Sequence, residues 1–109
     1  MSFGLDIETI DGDWIEVVSG HTYNLSPMWR KALPNVLGDG STNALEGWSC
    51  AALQPHLDKG LLDAVKNRHE YKELDPANGW GDYDGFIQIF SRFAHLNSRH
   101  PGGVVHWNG

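Results

Sequence analysis

Two short segments of this chain gather chemistry-bearing side chains around a helix start. The first is His21-Thr22-Tyr23-Asn24-Leu25-Ser26-Pro27-Met28-Trp29-Arg30. It sets an aromatic ring, an amide, a hydroxyl and a guanidinium beside one another. Free backbone N–H groups at a helix N-terminus favour an anion, and Arg30 can add bidentate hydrogen bonds to a phosphate. Tyr23 or Trp29 can stack on a base. The second segment, Asn78-Gly79-Trp80-Gly81-Asp82-Tyr83, is again an aromatic-rich turn into a helix. Its glycines permit close backbone approach, and Asn78 offers both donor and acceptor. The expected ligand-binding set is therefore Tyr23, Asn24, Ser26, Trp29, Arg30, Asn78, Trp80 and Tyr83. The competing reading is that both segments are capped helix starts whose aromatics fill the rim of the core.

Other chemistries find less support. The six histidines invite a metal, but no pair sits at the i, i+3 or i, i+4 spacing of helical ligands. Asp6, Asp11 and Asp13 could converge with His21 or His106 only if the first and last strands are neighbours. Cys50 lies on an apolar stripe, where a thiol is usually a small buried hydrophobe. Gly38-Asp39-Gly40-Ser41-Thr42 lacks the Lys-Ser/Thr pair of a phosphate loop, and no Gly-x-Ser-x-Gly occurs. Neither a catalytic set nor a cofactor or metal site is expected.

The elements that must position these residues form an α+β pattern. Leu5, Ile7 and Thr9 alternate with Asp6 and Glu8 as in a half-buried strand, and Asp11-Gly12 signals a hairpin. Trp14–Val18 reads as the partner strand, broken by Ser19-Gly20. His21–Leu25 reads as a third short strand or an extended approach. Ser26 is the expected cap of a short helix, with Pro27 at its first position and Pro34 stopping it. Residues 35–47 read as a surface loop. Ser49 starts a second helix whose stripe is Cys50, Leu53, Leu57, Leu61 and Val65, kinked or split by Pro55 and weakened by Gly60. A helical turn follows over 68–74. The last helix runs from Tyr83 to about Ser98, capped by Asp82, with Phe86, Ile87, Phe90, Phe93 and Ala94 on one face. Pro101-Gly102-Gly103 ends it, and Val104–Trp107 returns as a strand. The expected fold is one α+β domain over residues 1–109: a small antiparallel sheet, made by the N-terminal hairpin and the C-terminal strand, covered on one face by about three helices.

Composition bounds the partners. Fourteen acidic and eight basic residues give a net charge of −6, without the basic cluster that duplex nucleic acid requires. No apolar run approaches the roughly 20 residues of a membrane span. A single cysteine and an acidic start without a signal-like pattern fit a cytoplasmic protein.

Around the two aromatic segments the chain resembles a set of small proteins from bacteriophages, prophages and actinobacteria. The matching residues are Thr22-Tyr23-Asn24-Leu25-Ser26-Pro27-Met28, then Tyr71, Leu74 and Pro76, then Asn78-Gly79-Trp80-Gly81-Asp82-Tyr83-Asp84-Gly85 and His100-Pro101. The resemblance spans roughly residues 21 to 105. Arg68-His69-Glu70 stands where a proline before Tyr71 is expected, and Pro55 is also a departure. The resemblance implies a phage context, within an infected bacterial host, and no particular activity.

In that context the leading expectation is a binding protein. It would sequester a nucleotide-derived host immune signal, a cyclic nucleotide or an ADP-ribose derivative, and so suppress antiviral defence. A chain this short encloses little, so a homo-oligomer with pockets at or near subunit interfaces is expected. The alternative is an acidic protein–protein inhibitor of a host defence protein, and after it a small metal-dependent hydrolase.

Overall fold

The computed structural model describes residues 2–109. Its central strand is β1 (Ser2–Glu8), flanked by β2 (Trp14–Thr22) and β3 (Val104–Asn108) in an antiparallel sheet of order β2-β1-β3. The expected hairpin and returning strand are therefore present. Gly12, at φ 87°, makes the tight turn between β1 and β2, and its N–H donates to the Thr9 carbonyl at 2.9 Å. The Thr9 hydroxyl accepts from the Asp13 N–H at 3.1 Å and closes the loop.

β2 does not break at Ser19-Gly20. Phe3 pairs with His21, Leu5 with Val18 and Asp6 with Glu16, so β2 carries extra residues at two irregular points. Gly20, at φ 70°, takes the left-handed conformation that such a bulge needs. The strand thus runs on to Thr22 and delivers His21 to the core, where sequence suggested a third strand.

The helices are α1 (Ser26–Ala32), α2 (Pro34–Leu37), α3 (Cys50–Lys66), α4 (Arg68–Lys72) and α5 (Tyr83–Ser98). Three differ from expectation. Ser26 is not the cap of α1. A 3-10 turn over Tyr23–Leu25 runs straight into the helix, and the Thr22 hydroxyl caps that turn by accepting from the Asn24 N–H. Residues 35–47 are not simply loop, because Pro34 stops α1 yet starts α2, as its fixed φ suits a first helical position. A second 3-10 turn, Thr42–Leu45, follows and buries Thr42 and Leu45.

In α3, Pro55 neither splits nor ends the helix, which is continuous over 17 residues. Pro55 and Ala51 are both exposed, so the carbonyl left without a donor faces water. The buried stripe is Cys50, Leu53, Leu57, Gly60 and Ala64, whereas Val65 is 59% exposed. Alternating steps of three and four keep one face, while repeated steps of four drift by about 40° each. Gly60 belongs to this stripe for a steric reason. A Cβ there would stand 2.5 Å from the Ala32 carbonyl oxygen and 3.0 Å from the Phe90 ring, so glycine lets α1 and α3 close on each other.

The core lies between the sheet and the helices. Phe3, Leu5, Ile7 and Val105 from the strands meet Met28 and Trp29 of α1, Leu53 and Leu57 of α3, and Phe86, Phe90 and Phe93 of α5. Asp82 caps α5 as expected, its carboxylate accepting from the Gly85 N–H at 2.8 Å. The free edge of β3 is covered by the chain entering α3. Val105 exchanges 2.8 Å hydrogen bonds with Gly47 and Trp48, and the Cys50 N–H donates to the Gly103 carbonyl. No described helix is long and apolar enough to cross a membrane.

Candidate functional site

The two aromatic turns adjoin. Gly81, at φ 98°, packs so tightly on the first segment that a Cβ would stand 2.9 Å from Thr22 Cγ2 and 3.1 Å from Leu25 Cγ. Their side chains nevertheless divide. Asn24, Asn78 and Trp80 are exposed, and Trp80 sits on a turn held by its own N–H donating to Asn78 Oδ1 at 2.9 Å. Tyr23 and Arg30 are half-buried. Tyr23 leans on Phe3 and Trp107, with ring centroids at 5.4 and 6.4 Å.

Ser26, Trp29 and Tyr83 are buried. Trp29 is a core residue with no face open to a ligand. Its ring meets Phe3, His21 and Phe86 edge-on. Tyr83 is tied inward, its hydroxyl donating to the Ala64 carbonyl at 2.8 Å. The first segment offers no open helix N-terminus either, because the 3-10 turn continues into α1 and the Ser26 N–H donates to the Tyr23 carbonyl. Of the eight expected residues, then, five remain accessible, and the aromatic among them most open to a partner is Trp80.

A groove forms elsewhere, between α1–α2 and α3. It encloses about 320 Å³, at the lower end of the range of roughly 300–1,000 Å³ for small-molecule sites. Buried Ala32 and Leu33 floor it, and Pro34 and Leu62 form apolar walls. Lys31, Lys59 and Lys66 surround it with His56, Asn35 and Asn67. Three of the chain's eight lysines and arginines therefore border one groove of a protein with net charge −6. Lys31 is fixed there, its Nζ 3.2 Å from Glu70 Oε1 and 5.5 Å above the Tyr71 ring. Asp63 is the one acid in the lining. Both of its oxygens are engaged, by Asn67 Nδ2 at 2.7 Å and by the Tyr71 hydroxyl at 2.6 Å. Burial, and then the Asp63 carboxylate, push the Tyr71 phenol far above its usual range, so this hydroxyl is a permanent donor.

Sequence reading missed this groove because it sought basic residues adjacent along the chain and found only Arg30-Lys31. The available signal was helical phase: Lys59 and Lys66 are seven apart on α3, hence on one face.

A third cluster lies on the open side of the sheet. β1 and β3 are neighbours, but His106 is taken by Glu8, at Nε2–Oε1 2.9 Å, and by Glu46, at Nδ1–Oε2 3.0 Å. Trp14 stacks on the same ring at 4.3 Å. The other oxygen of Glu46 accepts from the Trp107 N–H at 2.8 Å, which lowers its pKa, the His106 charge adding to the effect. Burial pulls the His106 pKa down, but its hydrogen bonds to Glu8 and Glu46 and their charges prevail and raise it. Both ring nitrogens face carboxylates, an arrangement that favours the doubly protonated imidazolium. His21 lies apart from this cluster, in the core against Phe3 and Trp29. Burial alone drops its pKa to about 4. Asp6, Asp11, Asp13, His21 and His106 thus form no ligand set, and among the described residues no group of three or more His, Cys, Asp or Glu could hold a metal.

No family model matches the chain, and neither a curated protein nor a solved structure is similar to it.

Proposed function

We propose that this chain is a small-ligand-binding protein that holds a phosphate-bearing, nucleotide-derived signal in the α1–α3 groove and removes it from a host antiviral defence. One observation carries the reading: three lysines ring an apolar-floored groove in an otherwise acidic protein. Ammonium groups supply charge for phosphate, the amides of Asn35 and Asn67 suit ribose or base edges, and Pro34 and Leu62 suit the flat face of a base. The groove's carboxylate, Asp63, already accepts two hydrogen bonds and is no free general base, which leaves His56 as the lining side chain to test for turnover. The defence context rests on the phage resemblance. The reading includes a homo-oligomer, for which Val65, 59% exposed on α3 and outside the groove lining, is the apolar side chain offered to a second copy.

The test is a thermal-shift series of purified protein with cyclic mononucleotides, cyclic dinucleotides and cyclic ADP-ribose. A rise in Tm for one of them, lost in Lys59→Gln/Lys66→Gln, supports the reading; a rise unaffected by both changes removes the groove from it.

A protein–protein inhibitor is the second reading, favoured by Trp80, 67% exposed on a glycine-flanked turn. It expects Trp80→Ala to abolish capture of a host protein while leaving nucleotide binding unchanged.

A further inference from the structure

Within the groove the charges are ordered along α3. Lys59, Asp63 and Lys66 follow one another at steps of four and three, the spacing that keeps side chains on one helix face. The two lysines are therefore about 10 Å apart along the axis, with a carboxylate between them. That carboxylate is held in place: Asn67 and Tyr71 both donate to it, so it cannot swing away when an anion enters. Lys31 crosses from α1, anchored by Glu70, whose charge offsets part of its own. An anion is thus welcome at either lysine and repelled at the middle by the Asp63 carboxylate.

We infer that the groove selects a ligand with two separated anionic groups flanking a neutral centre, and discriminates against contiguous polyanions and against singly charged ligands. The inference rests on the anion-binding reading above and specifies the ligand class it takes. A cyclic dinucleotide has this charge pattern, with two phosphodiesters set apart by ribose. Cyclic AMP supplies one such charge, and tripolyphosphate supplies its charges without a gap.

The experiment is isothermal titration of these three probes (cyclic diadenylate, cyclic AMP and tripolyphosphate) against the wild type and three variants. All three replaced side chains lie at the groove surface, and Asp63→Asn retains an acceptor for Tyr71. Cyclic diadenylate is expected to bind at least tenfold more tightly than either other probe. Lys59→Gln and Lys66→Gln should each weaken it about tenfold, whereas only one of them should affect cyclic AMP. Asp63→Asn should narrow the gap to tripolyphosphate. Equal binding of cyclic AMP and cyclic diadenylate, or tripolyphosphate binding as tightly as the dinucleotide, would overturn the inference and leave anion binding intact. Failure of all three probes to bind would overturn both.

Discussion

Replacing Glu46 by alanine should loosen the segment that covers the edge of β3, and by an amount that depends on pH. The side chain makes two contacts, Oε1 with the Trp107 N–H at 2.8 Å and Oε2 with His106 Nδ1 at 3.0 Å. It is 49% exposed, so the ion pair is discounted for solvent to about 0.5 kcal/mol. The backbone bond to a carboxylate contributes about 1 kcal/mol. The sum, about 1.5 kcal/mol, corresponds to a Tm lower by roughly 6–9 °C for a domain of this size.

The pH dependence follows from the two shifts. His106 has a folded pKa above 6.5, so its stabilisation is complete below 6.5 and is lost as pH rises through the higher folded value. Glu46 has a folded pKa below 4.5, so its share is complete above 4.5 and is lost as pH falls through the lower one. The Tm difference between wild type and Glu46→Ala should therefore be greatest between about pH 5 and 6.5, and should shrink by about a third as pH rises through the folded pKa of His106 and the ion pair is lost. Glu46→Gln keeps an acceptor for Trp107 and loses the charge, so its deficit should be the pH-dependent third alone. Melting curves by circular dichroism from pH 4 to 9 decide it. A Glu46→Ala deficit equal at pH 6 and pH 9 would refute the imidazolium bridge, and no deficit at either pH would refute the clasp altogether.

Other outcomes follow from the core. His21, buried and neutral with Nε2 unpaired, costs the wild type stability as pH falls from 6.5 toward about 4, where the unfolded chain takes the proton first. His21→Phe should remove that acid sensitivity, measured as a flatter Tm profile below pH 6.5. Gly60→Ala gains up to about 1 kcal/mol in helix propensity but forces α1 from α3, and should destabilise by about 1–2 kcal/mol net in urea titration. Trp29→Ala should cost roughly 3–5 kcal/mol in the same titration, as expected of a core ring and not of a stacking platform. Trp80→Ala should change the stability by less than about 0.5 kcal/mol.

The α+β architecture was legible because its signals are local. Leu5 and Ile7 alternate with acids, Asp11-Gly12 makes the hairpin, Asp82 caps α5, and the Phe86-Phe90-Phe93 spacing defines a helix face. What escaped depends on tertiary context. The bulge at Gly20 lets β2 continue because β1 holds it in register, whereas a Ser-Gly pair alone reads as a break. Pro55 is tolerated because Leu53 and Leu57 anchor the helix on either side of it. Pro34 reads equally as a stop and a start, and only the chain beyond it decides. For the candidate site, sequence singled out the aromatic and polar residues of the two turns and could not tell which way they point. Tyr23 and Trp80 face outward or lie at the rim, while Trp29 and Tyr83 turn in, because the core needs large rings behind α1 and α5. The lysine groove and the Glu46 clasp join residues from separate elements, which no linear spacing announces.

On the proposed function, the groove binds a phosphate-bearing ligand and leaves it unchanged. The most direct measurement incubates the protein with a pool of cyclic nucleotides, separates free from bound, and identifies the ligand by mass after heat release. One species should be retained and recovered intact, and should no longer be retained by Lys59→Gln/Lys66→Gln. Recovery of a hydrolysed product, or retention of nothing by the wild type, would contradict it.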